Sequence, residues 1–133
     1  MLIGIVGSRS ITDYTLFKEE LEKVMVPDPK QDMIVSGGAN GIDSLAEQYA
    51  RAHGIQPVIL PALWDNFGKG AGKIRNSNVV KVAHIIIAFW DQESPGTKDT
   101  IDKAKANGNL FEVIRLRPGQ TSENSIACGE FFE

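Results

Sequence analysis

The chain has 133 residues, enough for one domain with a substantial core and too few for two. Its 14 Lys and Arg against 17 Asp and Glu give a net charge of −3 and a pI near 5.4. That balance argues against a broad basic surface tracking a nucleic-acid backbone and still allows a local basic pocket. Cys128 is the single cysteine, so no intramolecular disulfide is available.

Leu2–Val6 is a short apolar run ending at Gly7-Ser8-Arg9, which reads as a strand buried on both faces and followed by a loop. Thr12 or Asp13 can cap the next helix. There Tyr14, Phe17, Leu21, Val24 and Met25 keep helical spacing, and Pro27 and Pro29 stop it. A second strand, Met33–Ser36, leads through a glycine-rich turn into a helix running to about His53, with Ile42, Leu45, Ala46, Tyr49 and Ala50 as its buried stripe. A third strand covers Pro57–Leu60. A long loop then carries Trp64, Phe67, Gly68, Gly70 and Gly72, and a helix follows from about Ala71 to Ala83. His84–Trp90 is the strongest strand. After the loop Asp91–Gly96, a helix is expected over Thr97–Ala106 and a fifth strand over Leu110–Leu116. Residues 118–133 are rich in Gly, Ser, Thr and acidic side chains and are expected to form a flexible C-terminal tail outside a domain spanning 1–117, with Phe131 and Phe132 able to dock.

Strands alternating with helices, without hairpin signals, imply an α/β fold. The expected architecture is a Rossmann-like three-layer α/β/α domain with a five-stranded parallel sheet. His53 and His84 have no metal-ligand spacing, so no metal is expected. Met1 runs directly into a strand-like segment, and no run is long enough to span a bilayer, so a cytoplasmic protein without membrane contact is expected.

In a parallel sheet all strand C-termini share one rim, and ligands bind there where the strand order reverses. After the first strand the rim carries Gly7, Ser8 and Arg9; after the second, Ser36, Gly37, Gly38, Ala39 and Gly41. Three glycines within Gly37–Gly41 let the backbone approach a ligand closely, and the helix that follows offers unpaired N–H groups, together a cradle for phosphate. Asp43 in the first turn of that helix is read as structural, since an anion there competes with a phosphate. Trp64 follows the third strand. After the fourth come Trp90, Asp91, Ser94, Gly96 and Thr97, a second anion candidate whose plain alternative is a helix cap. Arg9 and Arg75 suit phosphate, with Asn76 beside them; Lys69 and Lys73 read as solvated. Trp64 or Trp90 can cover a base, although Trp90 serves equally as core. Asp91 can bind ribose hydroxyls or move a proton, or simply cap a turn. The catalytic candidates are Arg75 and Asp91.

The succession Gly7-Ser8-Arg9, Ser36–Ala46, Pro61 with Trp64, Ala71–Asn76, and Ala88–Asp91 with Ser94-Pro95-Gly96-Thr97 resembles the SLOG superfamily, and within it the small YspA/YpsA-related branch. The resemblance covers residues 1–117 in order. It implies a Rossmann-like domain binding nucleotides or nucleotide-derived ligands of the NAD or ADP-ribose kind, held without a further cofactor, and commonly a homo-oligomer. In the related Lonely guy enzymes a Gly-Gly-x-Gly-Thr-x-x-Glu motif holds phosphate and, with an arginine, supports cleavage of the base–ribose bond. Gly96-Thr97 match the Gly-Thr and Arg75 is similar to the arginine, but Thr100 stands at the glutamate's position. A hydrolase of nucleotide N-glycosidic bonds is therefore the second expectation, with Asp91 or Asp99 as its carboxylate, behind a nucleotide-binding module. The Ser-Gly-Gly-Ala-x-Gly-Ile-Asp stretch is similar to that of DNA-processing protein A, which places DNA third as a partner.

Overall fold

The computed structural model describes residues 1–123. Five parallel strands, β1 (Leu2–Gly7), β2 (Met33–Ser36), β3 (Gln56–Ile59), β4 (Ile85–Trp90) and β5 (Leu110–Arg115), form one sheet in the order β3-β2-β1-β4-β5. The order reverses at β1, so the switch point lies between the C-terminal ends of β1 and β4, in register from Ile3 opposite Ile85 to Gly7 opposite Phe89. Helices α1 (Tyr14–Val24), α2 (Ile42–Ala52), α4 (Ala71–Val82) and α5 (Pro95–Asn107) flank the sheet, giving the expected three-layer Rossmann-like fold.

Strand alternation divides the core. Ile3 and Ile5 of β1, with Ile87 and Phe89 of β4, pack under Leu16, Phe17 and Leu21 of α1 and Ile42, Leu45 and Tyr49 of α2. The intervening Val6, Ile86 and Ala88 pack under Val79 and Val80 of α4 and Ile101 and Ala104 of α5. Both faces of the central strands are covered, which is why those strands read as continuous apolar runs.

Local signals behave as their chemistry requires. The Asp13 carboxylate accepts the Leu16 N–H at 3.1 Å and caps α1, and Gly108 ends α5 in the left-handed conformation. Three details depart from expectation. The loop after β3 contains a single helical turn, α3 (Trp64–Phe67), and a 3₁₀ turn at Gly68–Gly70. Helix α5 starts at Pro95 rather than Thr97, because proline fits the first helical position, and Ser94 stands at the N-cap position with its hydroxyl turned to Asp91. Chain beyond β5 is fastened to α1 as far as Ser122: the Gly119 N–H donates to the Ser10 carbonyl at 3.1 Å and the Ser122 N–H to Asp13 at 3.0 Å, while the Ser122 hydroxyl donates to Glu19. The remainder of the expected tail, with Cys128, Phe131 and Phe132, lies outside the described residues. Among the described residues no helix is long and apolar enough to cross a membrane.

Candidate functional site

A cavity of about 440 Å³ opens at the switch point, walled by the end of β1 (Val6–Arg9), the turn after β2 (Gly37, Ala39), Asp43, the segment Trp64–Lys73, the α4 face (Arg75, Asn76, Val79) and the start of α5 (Ser94–Thr97, Asp99, Thr100). A smaller lobe of about 120 Å³ continues over Gly37–Ala39 between Pro61, Trp64 and the two arginines Arg9 and Arg75. The combined size suits a small organic ligand.

Arg75 is the strut of this site. Its Nη1 donates to the Gly37 carbonyl at 2.7 Å and its Nε to the Asn76 side-chain oxygen at 3.0 Å. The Asn76 amide donates onward to the Gly96 carbonyl at 3.4 Å and to Asp99 at 3.3 Å. The turn after β2, helix α4 and the start of α5 are thereby joined across the cavity. A Cβ at Gly37 would run into the Arg75 side chain and push the guanidinium off the Gly37 carbonyl.

Ser8, fully buried, joins the other walls: its hydroxyl accepts the Asp91 N–H at 3.0 Å and pairs with the Thr97 hydroxyl at 3.2 Å. Gly7 is small because a Cβ would lie 2.5 Å from the Phe89 carbonyl and 2.7 Å from Ile42.

Asp43 lies against the underside of the β2 turn, its side chain 8% exposed. Oδ2 accepts the Ala39 N–H at 3.2 Å and stands 3.8 Å from Arg75 Nη1. Burial pushes its carboxyl above the ordinary value, although the Ala39 and Gly37 amides and the Arg75 and Arg9 cations pull the other way. Asp99 behaves oppositely. Burial raises its pKa, but Lys103 at 2.8 Å and the Asn76 amide outweigh that and hold it below the carboxylate range.

Four cations line the main cavity, Arg9, Lys69, Lys73 and Arg75, against the two carboxylates Asp43 and Asp99. Arg9, Lys69 and Lys73 have no ion-pair partner among the described residues, so the cavity carries an unbalanced positive field. Among the described residues no side chain caps the start of α5, whose first turn offers the Gly96 and Thr97 N–H groups, Pro95 having none.

Of the residues expected at the site, Gly7, Ser8, Arg9, Gly37, Ala39, Trp64, Arg75, Asn76, Ser94, Gly96 and Thr97 lie on the main cavity wall and Gly38 borders the small lobe. Four others lie off both walls. Ser36 is buried beneath the turn, its hydroxyl without a partner among the described residues. Gly41, at φ +74°, lets α2 begin against the Ser8-Arg9 backbone. Trp90 follows the same strand face as Ile86 and Ala88, so its ring packs on the α4/α5 side and its indole N–H donates to the Ser94 carbonyl at 3.1 Å.

Asp91 is consumed by its own turn. Oδ1 accepts the Glu93 and Ser94 N–H groups at 2.9 and 2.7 Å, and Oδ2 accepts the Ser10 and Ser94 hydroxyls, both at 2.7 Å. Burial alone would raise its pKa, and these four donors together hold it far below the carboxylate range. An ionised carboxylate so occupied has no free lone pair aimed at a ligand. Conversely Asp43, Lys69 and Lys73 line the cavity although their sequence positions read as structural or solvated, and Thr100, at the glutamate's position of the related motif, lines it too. The signal for Asp43 was its place four residues after Ala39, where a helix start folds back on its own loop.

The comparisons with known proteins agree with this architecture. The gene 61 protein of Mycobacterium phage D29 is 33% identical over 110 residues, covering 78% of this chain and 88% of the phage protein. Among solved structures, DNA processing protein A from Helicobacter pylori, studied for its single-stranded DNA binding mode, superposes with a TM-score of 0.60 over 98% of this chain and 73% of that one, at 19% identity. At that identity the likeness is one of fold. A sequence model of one SLOG branch matches residues 1–67, and with the glycine-turn geometry and the relationship to the phage protein this establishes that the chain belongs to the YspA, cpYpsA-related SLOG family.

Proposed function

We propose that the protein binds a nucleotide in the switch-point cavity, with phosphate against the first turn of α5 and the base or ribose against Trp64. The observation that carries this reading is the meeting, among the described residues, of a helix start without a side-chain cap and three cations without an ion pair, Arg9, Lys69 and Lys73, around a cavity of about 440 Å³. Thr97 adds a hydroxyl and Trp64, 52% exposed, adds a stacking face. The test is a thermal-shift and calorimetric screen with AMP, ADP, NAD and ADP-ribose. A binding nucleotide raises Tm, and Arg9→Ala or Lys69→Ala weakens it about tenfold, the loss of one charge-assisted contact. Absence of any shift, or shifts indifferent to both variants, overturns the reading.

A hydrolase of the base–ribose bond ranks second. Thr100 donates its hydroxyl to the Gly96 carbonyl at 3.2 Å and supplies no carboxylate, which leaves Asp99 as the acid group on the adjacent wall. Asp99 is ionised and held by Lys103, suited to ribose hydroxyls or a developing positive charge and not to proton donation. Chromatography for released base decides between the two. A single-strand DNA reading draws on the Helicobacter pylori neighbour and on the exposed Trp64 and Phe67 beside Lys69; steep salt dependence of oligonucleotide binding is its test.

A further inference from the structure

We propose that the small lobe over the glycine turn is a second anion subsite, so that the site takes a ligand with two linked phosphoryl groups, one at the start of α5 and the next in the lobe. The inference rests on the nucleotide reading above and adds to it the phosphate count of the ligand.

The lobe has its own donor set. Arg9 and Arg75 line it and no acidic side chain does; Asp43 and Asp99 open onto the main cavity instead. Arg75 is a pre-positioned cation. With Nε on Asn76 and Nη1 on the Gly37 carbonyl, the plane of its guanidinium is fixed, and its Nη2 has no acceptor among the described residues. In the turn, Asp43 takes the Ala39 N–H, whereas the Gly38 N–H, on the lobe wall at φ +72°, has no acceptor among the described residues. Two cations and an unengaged amide are donors suited to phosphate oxygens. Size assigns the role. At about 120 Å³ the lobe has room for one phosphate group and falls below the roughly 300 Å³ at which pockets begin to hold a whole small ligand, so it serves one group of a ligand seated next door. Arg9, Gly37, Ala39, Trp64 and Arg75 border both spaces, and a single ligand reaches across them. A monophosphate at the start of α5 leaves the lobe's donors to water; a second phosphoryl group engages them.

The experiment is titration calorimetry of AMP, ADP and NAD, without divalent cation, on the full chain and on Ala62→Asp, which brings a carboxylate to a position on the lobe wall and off the main cavity. Wild-type protein is expected to bind ADP at least about tenfold more tightly than AMP, one added charge-assisted contact. An equal gain with NAD extends the lobe to the pyrophosphate bridge of a dinucleotide; a gain with ADP alone restricts it to a terminal phosphate. Ala62→Asp should cut the ADP preference at least about fivefold, and Arg9→Ala, at an exposed side chain, should cut it too. A smaller wild-type preference leaves the nucleotide reading standing and overturns the subsite, and so does a preference that neither variant reduces. If no nucleotide binds, the nucleotide reading falls, and inorganic pyrophosphate against inorganic phosphate decides the lobe. Pyrophosphate binding at least about tenfold tighter in wild type and weakened in Ala62→Asp supports it; any other result overturns it.

Discussion

Replacing Arg75 with alanine tests the strut directly. The side chain is 13% exposed and donates to the Gly37 carbonyl at 2.7 Å and to Asn76 at 3.0 Å. A hydrogen bond from a charged donor contributes about 1.5–3 kcal/mol. Removing the guanidinium also strands Asp43, 8% exposed, and breaking a buried pair costs about 3–5 kcal/mol. The two terms overlap because both include the solvation lost by Asp43 and Gly37, so the expected loss is about 3–5 kcal/mol by urea denaturation near neutral pH. Its pH dependence follows from Asp43. That carboxyl is already raised by burial, and loss of Arg75 raises it further. A raised folded-state pKa means stability present at low pH and lost as pH rises through that pKa. The deficit of Arg75→Ala should therefore be largest near neutral pH and shrink as the pH falls and Asp43 takes up its proton. Adding Asp43→Asn to Arg75→Ala should restore about 1–2 kcal/mol near neutral pH, by removing the unpaired charge. A loss below about 1 kcal/mol, or a loss unchanged by pH and by Asp43→Asn, would refute the pairing argument.

Gly41→Ala places a Cβ 2.5 Å from Arg9 Cα and 2.6 Å from the Ser8 carbonyl at φ +74°, and should cost about 2–4 kcal/mol in the same denaturation assay. Asp91→Ala leaves four partly buried donors unmatched and should cost about 2–4 kcal/mol at neutral pH. Because the folded-state pKa of Asp91 is depressed, its contribution is present above the ordinary value of 3.8 and is lost as pH falls below it, so acid titration of stability should be shallower in Asp91→Ala than in wild type. Arg9→Ala, at an exposed side chain without an ion pair among the described residues, should change stability by less than about 0.5 kcal/mol while weakening ligand binding.

The sheet was readable because β1 and β4 are buried on both faces, and such strands announce themselves as the apolar runs Leu2–Val6 and His84–Trp90. Helix α3 was not, since its four residues, Trp64–Phe67, are too few to display a period. The rim residues followed from topology alone: parallel strands bring Ser8, Gly37 and Thr97 to one edge whatever their separation in sequence. Orientation at the rim was harder. Trp90 and Asp91 are neighbours after β4, yet one turns into the α4/α5 core and the other into its own loop, outcomes decided by strand alternation and by Ser10 and Ser94 arriving as donors. The two lysines at 69 and 73 reach the cavity only because α3 and the 3₁₀ turn fold the segment back over it, a path no spacing in the sequence encodes.

An amide NMR titration of the labelled protein with AMP tests phosphate binding at the start of α5. The largest shifts should fall on the Gly96, Thr97 and Lys98 amides, with smaller ones at Arg9 and Asn76 and little change at Ala39, whose N–H is held by Asp43. Largest shifts on the Gly37–Gly41 turn, or none near Gly96, would contradict it.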